Sequence, residues 1–224
     1  MTRAALFDVD GTLVDTNYLH VTAWWEAFRQ AGHRVPMRAV HHAIGLGGTD
    51  LIDHLLGDDR DRDQDDALSA AHKTLYGTHF DRLEAFDDAG RLLRSLAKQG
   101  WTIVLATSAG GAELDALRAA VDADDVIAAT ASADDVDEGK PAAEPVVHAL
   151  DLAGAQARDS VFVGDSVWDM KAARRAGVTP LAVLSGGNPR EDLIRAGAAE
   201  VYDDTAHLLA SLDTSAFADR QGQG

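Results

Sequence analysis

Five continuous apolar runs in this sequence each stop abruptly at a polar residue or cluster. Residues 4–7 run straight into Asp8-Val9-Asp10-Gly11-Thr12; 102–106 end at Thr107-Ser108, 126–129 at Thr130, 160–163 at Gly164-Asp165 and 180–184 at Ser185-Gly186-Gly187. Runs without polar alternation belong to strands buried on both faces, which is the condition of a parallel sheet. Between them lie helical periodicities at 89–99, 113–120, 142–153, 167–176 and 190–196, four of them followed by a glycine suited to a left-handed helix end. From residue 87 onward strand and helix alternate, which predicts an α/β fold with a Rossmann-like parallel sheet and helices on both faces. In such sheets the polar residues at the carboxyl ends of the strands form the site.

Residues 17–83 break the alternation. Their periodic segments (18–31, 37–43, 50–56 and 65–82) all read as helix, so an all-helical cap is expected to be inserted into a core made of 1–16 and 84–224. Residues 58–66, rich in mixed charge, read as a solvated loop, and the tail at 221–224 as frayed.

Thirty-seven Asp and Glu stand against 20 Lys and Arg, a net charge of -17. Such a field repels nucleic acid and anionic lipid, so neither is expected as a partner. Absence of cysteine removes thiolate chemistry and thiolate-bound zinc. No stretch approaches the roughly 18 apolar residues of a membrane span, and the expectation is a cytoplasmic protein, monomer or dimer.

Asp8 and Asp10, two positions apart at a strand end, would share one face of an ideal strand and repel each other unless one is protonated or a cation intervenes. By itself, Asp-x-Asp-Gly is as well explained by a capped turn. Asp165 and Asp169 supply a second junction of strand and acid that adjacent parallel strands would bring to the first. Several carboxylates without His or Cys are what hard Mg²⁺ takes. Lys140, one of only four lysines in the chain, precedes Pro141 at another connection. There it could neutralise a carboxylate and hold a phosphate. Thr107, with Ser108 beside it, offers a hydroxyl and nearby N–H groups to an anion.

Taken in order, Asp8-x-Asp10-Gly-Thr, Thr107, Lys140-Pro141 and Gly164-Asp165-Ser-x-x-Asp169 resemble the four motifs of the haloacid-dehalogenase-like hydrolases. The helical insertion is similar to the small cap of the phosphoglycolate-phosphatase and β-phosphoglucomutase-like branch, and Asp15-Thr16, His20 and Trp24 resemble that branch's segment after the first motif. The resemblance implies a nucleophilic Asp8, an acid and base Asp10, and Mg²⁺ held by Asp8, the Asp10 carbonyl and Asp165. It further implies support from Asp169 and a phosphate site at Thr107, Ser108 and Lys140. The implied substrate is a small phosphorylated metabolite, phosphoglycolate or a sugar phosphate.

A loop around Gly45 and Gly47 is expected over the site. Where a phosphomutase wants cations it offers Ile44 and Gly48, which speaks against a mutase, and Lys73, the cap's only lysine, is placed far along another helix. A catalytically silent binding protein is the other rival. His20 could contact the leaving group or Asp10, or simply pack a helix, while His41 and His42 read as surface residues.

Overall fold

The computed structural model describes residues 2–218 of the 224, so the tail at 221–224 lies outside the described residues. Six strands, β1 (Arg3–Phe7), β2 (Trp101–Ala106), β3 (Ile127–Ala131), β4 (Ser160–Gly164), β5 (Thr179–Val183) and β6 (Glu200–Tyr202), form one sheet in the order β3-β2-β1-β4-β5-β6. Every pairing is parallel. The chain builds outward from β1 through β2 to β3, then returns to β1's other side with β4. That reversal opens a crevice at the carboxyl ends of β1 and β4, where Phe7 lies opposite Val163. It sets Asp8 beside the Gly164-Asp165 junction.

Between β1 and β2 come α1 (Asn17–Gln30), α2 (Met37–Ala43), α3 (Gly48–Leu56) and α4 (Asp65–Gly77), with no strand among them. They bury a core of their own, in which Val21, Trp24, Phe28, Val40, Leu51, Ile52 and Leu68 meet. After them follow α5 (Ala89–Lys98), α6 (Gly111–Val121), α7 (Glu144–Ala153), α8 (Val167–Arg175), α9 (Arg190–Ala196) and α10 (Thr205–Ala210). The two-residue period of β1 sorts its side chains between two layers. Ala5 and Phe7 join Leu92, Leu93, Leu96 and Leu117 on one face of the sheet. Ala4 and Leu6 join Val146, Ala149, Leu150 and Ala172 on the other. Helices cover both faces, which is why the strands read as unbroken apolar runs. The glycines expected to end helices, at 100, 154, 177 and 197, all have positive φ.

Three details depart from the sequence expectations. A sixth strand, Glu200–Tyr202, closes the β5 edge; at three residues it is too short to show a pattern. Strand β3 continues through Thr130 to Ala131 rather than ending at 129. The loop at 58–66 is pinned rather than simply solvated: the Arg60 side chain, 2% exposed, reaches Asp53 at 2.7 Å and Asp65 at 2.8 Å. Among the described residues no helix is long and apolar enough to cross a membrane.

Candidate active site

Beyond Phe7 the backbone turns at once. The Val9 carbonyl accepts N–H bonds from Thr12, Leu13 and Val14 at 2.8 to 3.2 Å, and Gly11 takes a φ of +73° to make this possible. The turn separates the two motif carboxylates instead of leaving them on one face. Asp8 joins Asp165 and Asp169, whereas Asp10 joins His20 and Glu113.

Asp8, 6% exposed, accepts from Lys140 Nζ at 2.5 Å and from Thr12 Oγ1 at 3.1 Å. The ammonium is itself only 1% exposed and also pairs with Asp169 at 2.8 Å. Asp169 is further tied to Ser166, accepting from its N–H at 3.0 Å and its hydroxyl at 2.6 Å, so it caps α8 and holds Lys140 at once. Asp165 accepts from Asn17 Nδ2 at 2.7 Å, and Asn17 also donates to the Gly186 carbonyl at 3.1 Å. Asn188 fixes the Asp165 backbone carbonyl at 3.1 Å.

One ammonium thus pairs with two of three buried carboxylates that each bring an oxygen within 4.8 Å of the others. The deficit of positive charge shows in the titration of Asp8 and Asp165. Burial pushes Asp8 up to about 7 against the pull of Lys140, with Asp169 and Asp10 adding to the rise. Burial, Asp169 and Asp8 push Asp165 well above the carboxylate range. An all-oxygen donor set with unmet negative charge fits a hard divalent cation.

Asp10 faces the cap. Burial alone would raise its pKa, but bonds from His20 Nε2 at 3.1 Å and Thr16 Oγ1 at 2.7 Å hold it below the ordinary value. His20, although buried, is raised by Asp10 and by Glu113. Its Nδ1 lies 3.1 Å from His72 Nε2, and burial lowers His72 to about 3. The two directions orient the chain of bonds: a protonated His20 donates to Asp10 on one side and to a neutral His72 on the other. Stacking of His72 on Trp24 at 4.1 Å and of His20 on Tyr76 at 3.8 Å fixes both rings. His20 therefore contacts Asp10 and packs its helix as well.

A cavity of about 240 Å³ opens between Asp8 and Asp10 on one side and the loop from Ile44 to Thr49, with Gly45 and Gly47, on the other. Ser108 and Glu113 line it from the core, and Ser69, His72 and Lys73 from α4. Thr107 is buried at the end of β2, where its hydroxyl accepts the Ala109 N–H at 3.0 Å. Cap and core touch through His41 Nε2 and the Gly186 carbonyl at 2.9 Å, and through the Trp168 indole N–H and the His42 carbonyl at 3.0 Å. At Gly45 a Cβ would lie 2.6 Å from Ser166 Oγ, so this close approach of loop to core requires glycine.

Two sequence expectations need correction here. Lys73 is distant from the loop in sequence but lines the cavity, because α4 packs along α1 with His72 and Tyr76 facing His20. His41 is a contact between cap and core rather than a simple surface residue. Asn17, His72 and Glu113 went unpredicted. His72 looks like any histidine on a helix face, and Glu113 like any first-turn acid.

Across residues 2–177 the chain matches the haloacid dehalogenase-like hydrolases, and it belongs to that family. It is an enzyme, a phosphatase of this family. A phosphoglycolate phosphatase of Rhodospirillum rubrum is 30% identical over 221 residues, covering 93% of this chain and 90% of its own. A hydrolase from Pseudomonas syringae superposes with a TM-score of 0.89 at 34% identity, covering 95% and 98% of the two chains. The β-phosphoglucomutase of Clostridium difficile, 18% identical, shares the fold with a TM-score of 0.81 over 93% of each chain.

Proposed function

We propose that the protein is a Mg²⁺-dependent phosphatase of small phosphomonoesters, with 17–83 acting as a cap over a core of 1–16 and 84–224. The observation that carries the reading is the division of labour between the two motif carboxylates. Asp8 lies among Lys140, Asp165 and Asp169, while Asp10 is turned to His20 at the cavity floor. Asp8, the Asp10 backbone carbonyl and Asp165 would hold the metal. When bound, Mg²⁺ supplies positive charge to the transferring phosphoryl oxygens.

In the first step an Asp8 oxygen bonds to phosphorus as the ester P–O bond breaks, and the proton held between His20 and Asp10 passes through Asp10 to the departing alkoxide. In the second step water bonds to phosphorus, the Asp8–phosphorus bond breaks, and the proton released by water returns to Asp10. Lys140 neutralises Asp8 and, with Thr107 and Ser108, receives phosphoryl oxygens. Closure of the loop around Gly45 and Gly47 dries the cavity during transfer. His20 holds Asp10 in place.

The relatives named phosphoglycolate phosphatase support a small, compact substrate, as does the cavity volume. The test is phosphate release from a panel of phosphometabolites, with Mg²⁺ and with chelator. Release that depends on Mg²⁺ is expected. No turnover of any phosphoester would favour a binding protein instead.

A further inference from the structure

Glu113, in the first turn of α6, is a carboxylate of this pocket that the reaction above leaves without a role. Its side chain is only 17% exposed and lines the cavity. Among the described residues it makes no hydrogen bond; its ion-pair contact is His20 Nε2 at 3.7 Å, and that nitrogen lies nearer Asp10 at 3.1 Å. A largely buried carboxylate normally has its lone pairs filled, so acceptors left open toward a cavity point to a donor that arrives with the ligand.

The geometry says where on the ligand that donor sits. If Asp10 protonates the bridging oxygen, that oxygen lies within hydrogen-bond reach of the Asp10 carboxylate, and a Glu113 oxygen is within 4.8 Å of the same carboxylate. The span from the bridging oxygen to Glu113 is then filled by a short O–C–C–O link whose far oxygen meets Glu113. We propose that Glu113 selects leaving groups bearing a hydroxyl on the carbon next to the phosphoester carbon, as polyol and sugar phosphates do, over those bearing a carboxylate there. The inference rests on the phosphatase reading given above.

A hydroxyl donates to Glu113 and completes its bonding. A carboxylate in the same position offers no proton and, above about pH 7, to which burial pushes Glu113 up, sets a third negative group against Asp10 and Glu113. Lys73 acts in the opposite sense, since it lines the same cavity and makes no hydrogen bond or ion pair among the described residues. It stands exposed, however, where water screens its charge, while Glu113 is largely buried.

Two probes of equal length isolate the difference: 2-hydroxyethyl phosphate and 2-phosphoglycolate. The full chain with Mg²⁺ should show kcat/KM at least about tenfold higher for the hydroxyl probe, and Glu113→Gln, which keeps the shape and loses the charge, should shrink that ratio about tenfold. In Lys73→Met the preference for the hydroxyl should persist. A wild-type preference for phosphoglycolate would overturn the inference, as would an unchanged ratio in Glu113→Gln. An equal loss on both probes in that variant would make Glu113 a positioning residue for His20 and overturn it too. So would a loss in Lys73→Met confined to phosphoglycolate and exceeding about tenfold, because Lys73 would then be reading the carboxylate. Each of these outcomes leaves the phosphatase reading intact. Absence of turnover on both probes and on an aryl phosphate would instead remove that reading and this inference with it.

Discussion

Lys140 and Asp8 stand 132 residues apart in the chain, yet the ammonium nitrogen lies 2.5 Å from the carboxylate oxygen. The contact joins the end of β1 to the loop before α7, and the same nitrogen reaches Asp169 at 2.8 Å. Removing Lys140 would strand two buried carboxylates, and adding a divalent cation would relieve the third. Packing alone does not call for such a cluster, since apolar residues of similar volume are often as stable. Its cost makes sense as the cost of a site.

Asp8→Asn should therefore separate activity from stability. Turnover of an aryl phosphate with Mg²⁺ should fall below about a thousandth of wild type, because the amide is a far poorer nucleophile. Stability without metal should rise. Asp8 in the fold is pushed up to about 7 from 3.8, so its ionisation disfavours the native state: stability present below pH 4 is lost as the pH rises through 7. Asparagine carries no such penalty. In chelator the variant should melt higher than wild type at pH 8, with the gap closing below about pH 4. A variant that melts lower at pH 8 would contradict the charge deficit inferred here.

Much of this was legible in the sequence, for reasons that particular residues make plain. Residues 4–7 and 160–163 are apolar without interruption because helices cover both faces of the sheet, and their polar ends mark where β1 and β4 deliver Asp8 and Asp165. Three features were not legible. A strand of three residues, Glu200–Tyr202, carries too few side chains to show a period. Glu113, His72 and Asn17 reach the site through the packing of helices, and no local pattern distinguishes them from a first-turn acid, a helix-face histidine or a capping asparagine. The divergence of Asp8 and Asp10 was hidden as well, because it depends on a turn that begins at Val9, between the two carboxylates.

Asn17 links the start of α1 to the candidate metal ligand. Its amide, 2% exposed, donates to Asp165 at 2.7 Å and to Gly186 at 3.1 Å. Asn17→Ala should weaken Mg²⁺ binding about 10- to 100-fold, in line with the loss of outer contacts to metal ligands. Calorimetric titration of Mg²⁺ without substrate reads this directly. An unchanged Kd in a folded variant would show that Asp165 needs no such clamp.

His72 supplies a prediction in pH. Burial, together with His20, holds it at about 3, below the ordinary 6.5, so the unfolded chain binds this proton more readily than the fold does. Stability from its neutral state is present above pH 6.5 and drains away as the pH falls toward 3. His72→Gln keeps a polar side chain and cannot take up the proton. Between pH 7.5 and 5 the wild type should lose more of its Tm than this variant. Parallel slopes would mean that His72 accepts a proton in the fold and that its bond to His20 runs the other way.

The cap loop carries the last prediction, which separates a phosphatase from a phosphomutase. A mutase must hold a phosphate at each end of its bisphosphate intermediate, and two charge-assisted contacts to the second phosphate would each contribute on the order of 1.5 to 3 kcal/mol. Over this cavity the loop presents Ile44, Leu46 and Gly48 instead, and the lysine that the cap brings to the cavity, Lys73, sits beside Glu113. A hexose bisphosphate should therefore gain less than about tenfold in kcat/KM over the matching monophosphate, and nearly all phosphoryl groups should end as free phosphate. The comparison is made with purified enzyme and Mg²⁺, following released phosphate and the transfer of label between C1 and C6 of glucose phosphate. Efficient transfer with little free phosphate would mean that a sugar hydroxyl, not water, takes the phosphoryl group from Asp8, and that the cap finds its second phosphate site elsewhere.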